Sequence, residues 1–207
     1  MKYYTLIIAL LLFSCEKKED VLLPKSNVTI VKDVQDHSPI YIFFKTEGKD
    51  TIADVNRKNS IISTNWLFNI DRRLPLKLVI PEVIKLQEKK RADSAHKNEN
   101  AENYYSYADS IGKNLAFLPF TKVYYKTAKP KSEGMVVFFK NNKTVEVNNQ
   151  VLKKEELLNY IASLDFAVKP NIQICFDKNM SFDAYIQDKI LVQKLESFAM
   201  VNEEFIF

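Results

Sequence analysis

Histidine, glycine and cysteine are scarce in this chain, and each scarcity removes a class of chemistry. His37 and His96 are the only groups whose ordinary pKa suits proton transfer near neutral pH, and both sit in polar segments that read as solvated surface. Three glycines leave no room for a glycine-rich phosphate loop. No paired cysteines, His-x-x-x-His spacing or clustered aspartate loop marks a metal site. Of the two cysteines, Cys175 falls inside the apolar run Asn171–Phe176 and is expected to be a buried, inert thiol. Asp177 and Asp183 flank a helix start, where carboxylates favour the helix dipole, so capping is their expected role. No catalytic residue, cofactor or metal is predicted, and the chain is not expected to be an enzyme.

What is present can build a core. Apolar residues make up 46% of the chain, too many for global disorder. The 30 basic and 26 acidic residues nearly balance, giving a net charge of +4. They are dispersed, and the densest patches, Lys89-Lys90-Arg91 and Lys126, Lys129 and Lys131, read as solvated faces. No nucleic-acid partner is expected.

The N-terminus predicts a location. Residues Tyr4–Phe13 are apolar and follow Lys2, but the run is short of the roughly 20 residues a bilayer needs. It has the length of a signal-peptide core. The run ends in Leu12-Phe13-Ser14-Cys15, which resembles the bacterial lipobox. That resemblance implies removal of residues 1–14 and acylation of Cys15. The charged stretch Glu16-Lys17-Lys18-Glu19-Asp20 resembles the surface-export signals of Bacteroidetes lipoproteins. A tether over 15–38 on a lipid anchor follows, with the body at the cell envelope, on the outer membrane.

Self-similarity points to two units. Ile40–Lys45 resembles Met135–Lys140, Thr51–Asn56 parallels Thr144–Asn148, and Pro75–Ile80 parallels Pro170–Cys175. In the second unit, residues 135–140 predict a buried strand and Thr144–Val147 an alternating one. Asn141-Asn142 and Asn148-Asn149 predict turns. Helical spacing brings Leu157, Leu158 and Ile161 together between Lys153 and Ser163. A strand over 171–176, a helix after Ser181 and a last strand at Phe205–Phe207 complete it. In the first unit, a helix is predicted around Ser63–Asp71, a strand over 76–80, a helix from Pro81 to Lys97 and a closing strand at Lys122–Tyr125. The expected class is α+β: two tandem β-β-α-β-α-β units, each a mixed sheet with two helices on one face. Their bounds are 39–126, with a polar insertion near 96–103, and 135–207, joined by a linker over 127–134.

Residues 143–207 resemble the periplasmic domain of the ExbD/TolR family. The likeness rests on Thr144–Asn149, Glu155-Glu156-Leu157, Ile172–Asp177, Tyr185-Ile186 and Phe205–Phe207. Members of that family carry a membrane helix with an acidic residue used in proton-driven energy transfer. Here Tyr4–Phe13 has no acid. The resemblance therefore implies the family's docking part without its motor.

The expected function is a non-catalytic docking module with an envelope protein as partner, accessory to an ExbD/TolR-type energy-transduction or transport complex. The alternative is a surface lipoprotein that binds a glycan or small ligand. Phe205, Ile206 and Phe207 are the candidate edge strand, since unpaired strand edges accept partner strands. Tyr104, Tyr105 and Tyr107 are candidates for an aromatic contact surface. Two fused copies could form an internal pseudo-dimer.

Overall fold

The computed structural model describes residues 20–58, 60–92, 98–131, 134–140, 143–164, 170–195 and 203–207. The predicted lipobox, Cys15, His96 and the turn at 141–142 lie outside these residues. Among the described residues no helix is long and apolar enough to cross a membrane.

Each unit starts from a hairpin. In the first, β2 (His37–Glu47) turns through Gly48 into β3 (Asp50–Asn56). Gly48 has φ of 61°, the left-handed value that a two-residue turn opening on glycine needs. β2 then pairs in parallel with β4 (Asn65–Ile70), and β4 with β5 (Asn103–Asp109). The helix α1 (Leu76–Arg91) connects those two strands. The antiparallel β6 (Asn114–Pro119) closes the sheet along β5, and a short β1 (Lys25–Ser26) adds to the end of β5.

The second unit repeats the plan with one addition. Strands β8 (Met135–Phe139) and β9 (Thr144–Val147) form the hairpin. β10 (Gln150–Lys153) then doubles back along β9 through Asn148-Asn149. Both asparagines have positive φ, 46° and 71°, as a tight primed turn requires. A 3₁₀ turn leads into α2 (Leu157–Ser163), and β11 (Ile172–Phe176), α3 (Phe182–Leu195) and β12 (Glu203–Ile206) follow. The strand β7 (Tyr124–Lys126), from the first half of the chain, pairs in parallel with β12.

The result is α+β, with two six-stranded mixed sheets and three helices among the described residues. The second unit follows the sequence reading apart from β10, which it adds, and the turn at 141–142, which lies outside the described residues. The first differs locally. Trp66 lies in the central strand β4 rather than a helix, because Trp66, Phe68 and Ile70 face the core while Leu67 packs on the opposite face with Val34 and Phe117. A strand covered on both faces shows no alternation. Residues 76–80 belong to α1, whose buried Leu76, Val79, Ile80, Val83 and Leu86 follow helical spacing. Pro81 sits inside that helix, not at its start. It leaves the Lys77 carbonyl without its usual helical donor. The first unit thus carries one described helix on its sheet.

The true equivalence aligns Asp71 with Asp177. Asp71 N–H bonds Ile42 O at 3.0 Å, and Asp177 N–H bonds Phe139 O at 3.1 Å. Each carboxylate then accepts a backbone N–H two residues on, from Arg73 at 3.0 Å and from Asn179 at 2.7 Å. The sequence match of Pro75 with Pro170 is therefore corrected: Pro75 precedes a helix and Pro170 precedes a strand.

The segment after Asp20, expected as a tether, is laid across the first unit. Leu22 N–H bonds the Asp71 carboxylate at 3.2 Å, and Val31 exchanges two backbone bonds with Phe117 on β6.

Candidate functional site

The two units meet where α1 and α3 begin. Pro75 and Ser181 face each other in an antiparallel bridge. Leu76 N–H bonds Met180 O at 2.9 Å, and Phe182 N–H bonds Leu74 O at 2.8 Å. Lys77 N–H reaches Lys178 O at 2.8 Å, while Asp183 N–H reaches Arg72 O at 3.1 Å. Each pair of bonds exchanges equivalent positions, the signature of a two-fold relation. Amides that helix starts leave unpaired are here satisfied by the other unit.

Behind this seam lies a buried polar chain. Tyr105 of β5 and Tyr125 of β7 share a hydrogen bond of 2.7 Å, and Tyr125 shares one of 3.1 Å with Tyr185 of α3. Tyr185 donates to Glu204 of β12 at 2.8 Å, and Lys189 of α3 pairs with the other carboxylate oxygen. Burial pushes all three phenols well above their ordinary pKa. Tyr105 also stacks on Phe120 at 3.7 Å between ring centroids. These groups hold the units together, and none opens onto a cleft.

Other buried charges are likewise occupied. Asp188 of α3 pairs with Lys154, at the start of the 3₁₀ turn, yet burial still raises its pKa to about 6 against the opposing effect of that lysine. Burial lowers Lys90 to about 8, where it donates to Glu102 O at 2.8 Å and Asn103 Oδ1 at 2.9 Å. The Cys175 thiol is buried and pushed up to about 12, which suppresses the reactive thiolate.

The sequence candidates scatter. Tyr105 and Tyr107 are fully buried, and Tyr107 donates to Val28 O at 2.9 Å. Tyr104 is half-buried and donates to Glu102 at 2.6 Å. Phe205 and Ile206 are buried; Phe207 is partly exposed and rests 4.9 Å from the Phe138 ring. The edge position expected for Phe205–Phe207 is corrected, since β12 runs between β11 and β7. The covering strand comes from 79 residues earlier, a pairing with no local signal. His37 Nδ1 donates to Val34 O at 2.8 Å.

One open feature lies on β3, which sequence reasoning passed over. It ends the first sheet. No local signal sets it apart, since a polar pair follows β9 as well as β3, yet among the described residues no strand returns along β3. Beside it, on the face away from the core, Asn56, Tyr41 and Asn69 form a row across three strands. A notch there is lined by Asp20, Leu23, Tyr41, Phe43, Asn56 and Asn69, with Tyr41 and Phe43 stacked at 5.8 Å. No protein-family model, curated protein or solved structure matches the chain.

Proposed function

We propose that this chain is a lipid-anchored envelope protein acting as a non-catalytic docking module, built from two fused ExbD/TolR-like units. The observation that carries this reading is the two-fold exchange of backbone bonds between Leu74–Lys77 and Met180–Asp183. Fusion spends the inner surfaces and the buried polar groups on holding one body together, which leaves strand edges and outer faces as the working surface. The proposed partner is an envelope protein, in an ExbD/TolR-type energy-transduction or transport complex. The anchor is Cys15, with the body on the outer membrane. Cys15→Ser should release the protein from the membrane fraction and abolish crosslinks to envelope proteins in intact cells. Membrane retention of that variant would defeat the anchor, and a wild-type chain that crosslinks to nothing would defeat docking.

The row of Asn56, Tyr41 and Asn69 supports a second reading, a glycan- or small-ligand-binding lipoprotein. An aromatic face flanked by amides suits a sugar ring. Cosedimentation with purified peptidoglycan, lost in Tyr41→Ala, would favour it over docking.

A further inference from the structure

The two units treat one equivalent strand edge in opposite ways. Val55 of β3 corresponds to Val145 of β9, because each lies opposite the β2 or β8 residue whose carbonyl receives the Asp71 or Asp177 amide. In the second unit β10 pairs along the outer edge of β9, setting Leu152 opposite Val145. Val145 and Val147 are each 1% exposed as a result, with Leu157 and Ile161 of α2 buried in the same core. In the first unit no described strand covers β3, and Val55 and Ala53 stay half-exposed.

The direction of the free groups follows from pairing. Ile42 O bonds Asp71 on the β4 side, so even-numbered residues of β2 point their backbone groups away from β3. Their partners Thr51, Ala53 and Val55 are therefore the non-bonded positions of the hairpin. Their N–H and C=O groups face outward. Three alternate residues present a ready template for another strand.

We propose that the outer edge of β3 is a docking site for an extended segment of another protein, added antiparallel to β3 as β10 is to β9. That segment carries an apolar residue over Val55, in the place Leu152 takes over Val145. The occupant is a different chain: a second copy's β3, laid antiparallel so that all three outward residues pair, would set Thr51 over Val55, where the equivalent edge takes the apolar Leu152. This site rests on the docking reading above and gives it an address.

The test is to pan a random 12-residue peptide library on the full mature chain and map the winners by amide hydrogen exchange. Selected peptides should alternate apolar and polar residues and slow exchange at Thr51, Ala53 and Val55. Ala53→Pro removes the central outward donor without touching a β2–β3 bond, and should weaken binding at least tenfold. Thr51→Pro, beside the turn, serves if that variant folds poorly. Peptides that protect no β3 amide, or that bind both proline variants within twofold of wild type, would overturn the site. Envelope crosslinking in the same preparation separates the two claims: partners captured with β3 unprotected leave docking standing and remove this address. A dimer whose β3 amides are protected without peptide would name a second copy as occupant and refute the proposal.

Discussion

The first and second units share a fold but differ in how they finish it. The second completes its hairpin edge locally, with a tight Asn148-Asn149 turn, β10 and α2. The first extends its hairpin, omits that strand and helix, and seals its far side with β6 and the incoming segment from Leu22 to Val34. The difference extends to charge. Glu82 of α1 pairs with Arg57 at 2.5 Å near the surface, while its counterpart on α3, Asp188, pairs with Lys154 in the interior. One unit therefore carries its edge out to β10 and holds a buried ion pair, while the other ends at β3 with a solvated one.

The largest effect is expected where the units are joined. Glu204→Ala strands Lys189, 3% exposed, without its partner. Removing one partner of a buried pair costs about 3–5 kcal/mol. Urea melts should show the loss, with both units unfolding together. The double variant Glu204→Leu/Lys189→Met should recover most of it, because well-packed apolar replacements of buried pairs are often neutral or better. Two separate transitions in either variant would show that the units fold independently and that the seam is incidental.

A smaller effect separates the two units by pH. Asp188 has its pKa raised from 3.8 to about 6, mainly by burial. Between pH 4 and 6 the folded chain holds a proton that the unfolded chain has released, so this group favours folding as pH falls through 6 and bears a cost above it. The span is about 3 kcal/mol at most. Asp71 has the opposite sign: burial opposes ionisation, but Arg73 and the backbone N–H groups of Arg73 and Leu22 outweigh it and lower its pKa. Its contribution is present above the unfolded value and is lost as pH falls through the folded one. Urea midpoints taken from pH 7.5 to 4 should fall more steeply in Asp188→Asn than in wild type. Parallel curves would mean that Asp188 does not carry the buried charge.

Much of this was legible in the sequence, unevenly. The second unit could be read because its strands alternate or stop at paired asparagines, and its first helix shows a plain apolar stripe. The first misled at Trp66–Ile70, where both faces are buried and alternation vanishes, and at Pro81, which tertiary packing holds inside α1. The candidate surfaces were hardest. Phe205–Phe207 looked like an edge because it ends the chain, yet β7 reaches it from the other unit. Tyr105 joins Tyr125, Tyr185 and Glu204 across long sequence separations that no local pattern reports.

The smallest expected difference tests the repeat itself. Asp71 and Asp177 hold the same turn, but they bear different loads. Asp71 is fully buried, forks Arg73 through Nε and Nη2 at 2.8 Å each, and receives Leu22 N–H, pinning the incoming segment. Asp177 is half-exposed and, among the described residues, bonds within its own turn to the backbone and side-chain amides of Asn179. Charge-assisted hydrogen bonds contribute about 1.5–3 kcal/mol and ordinary ones about 1. Asp71→Ala should therefore cost about 1–2 kcal/mol more than Asp177→Ala in urea melts, and only Asp71→Ala should speed hydrogen exchange at Leu22 and Arg72. Equal losses would mean that the incoming segment contributes nothing through Asp71, and that the two turns are interchangeable copies after all.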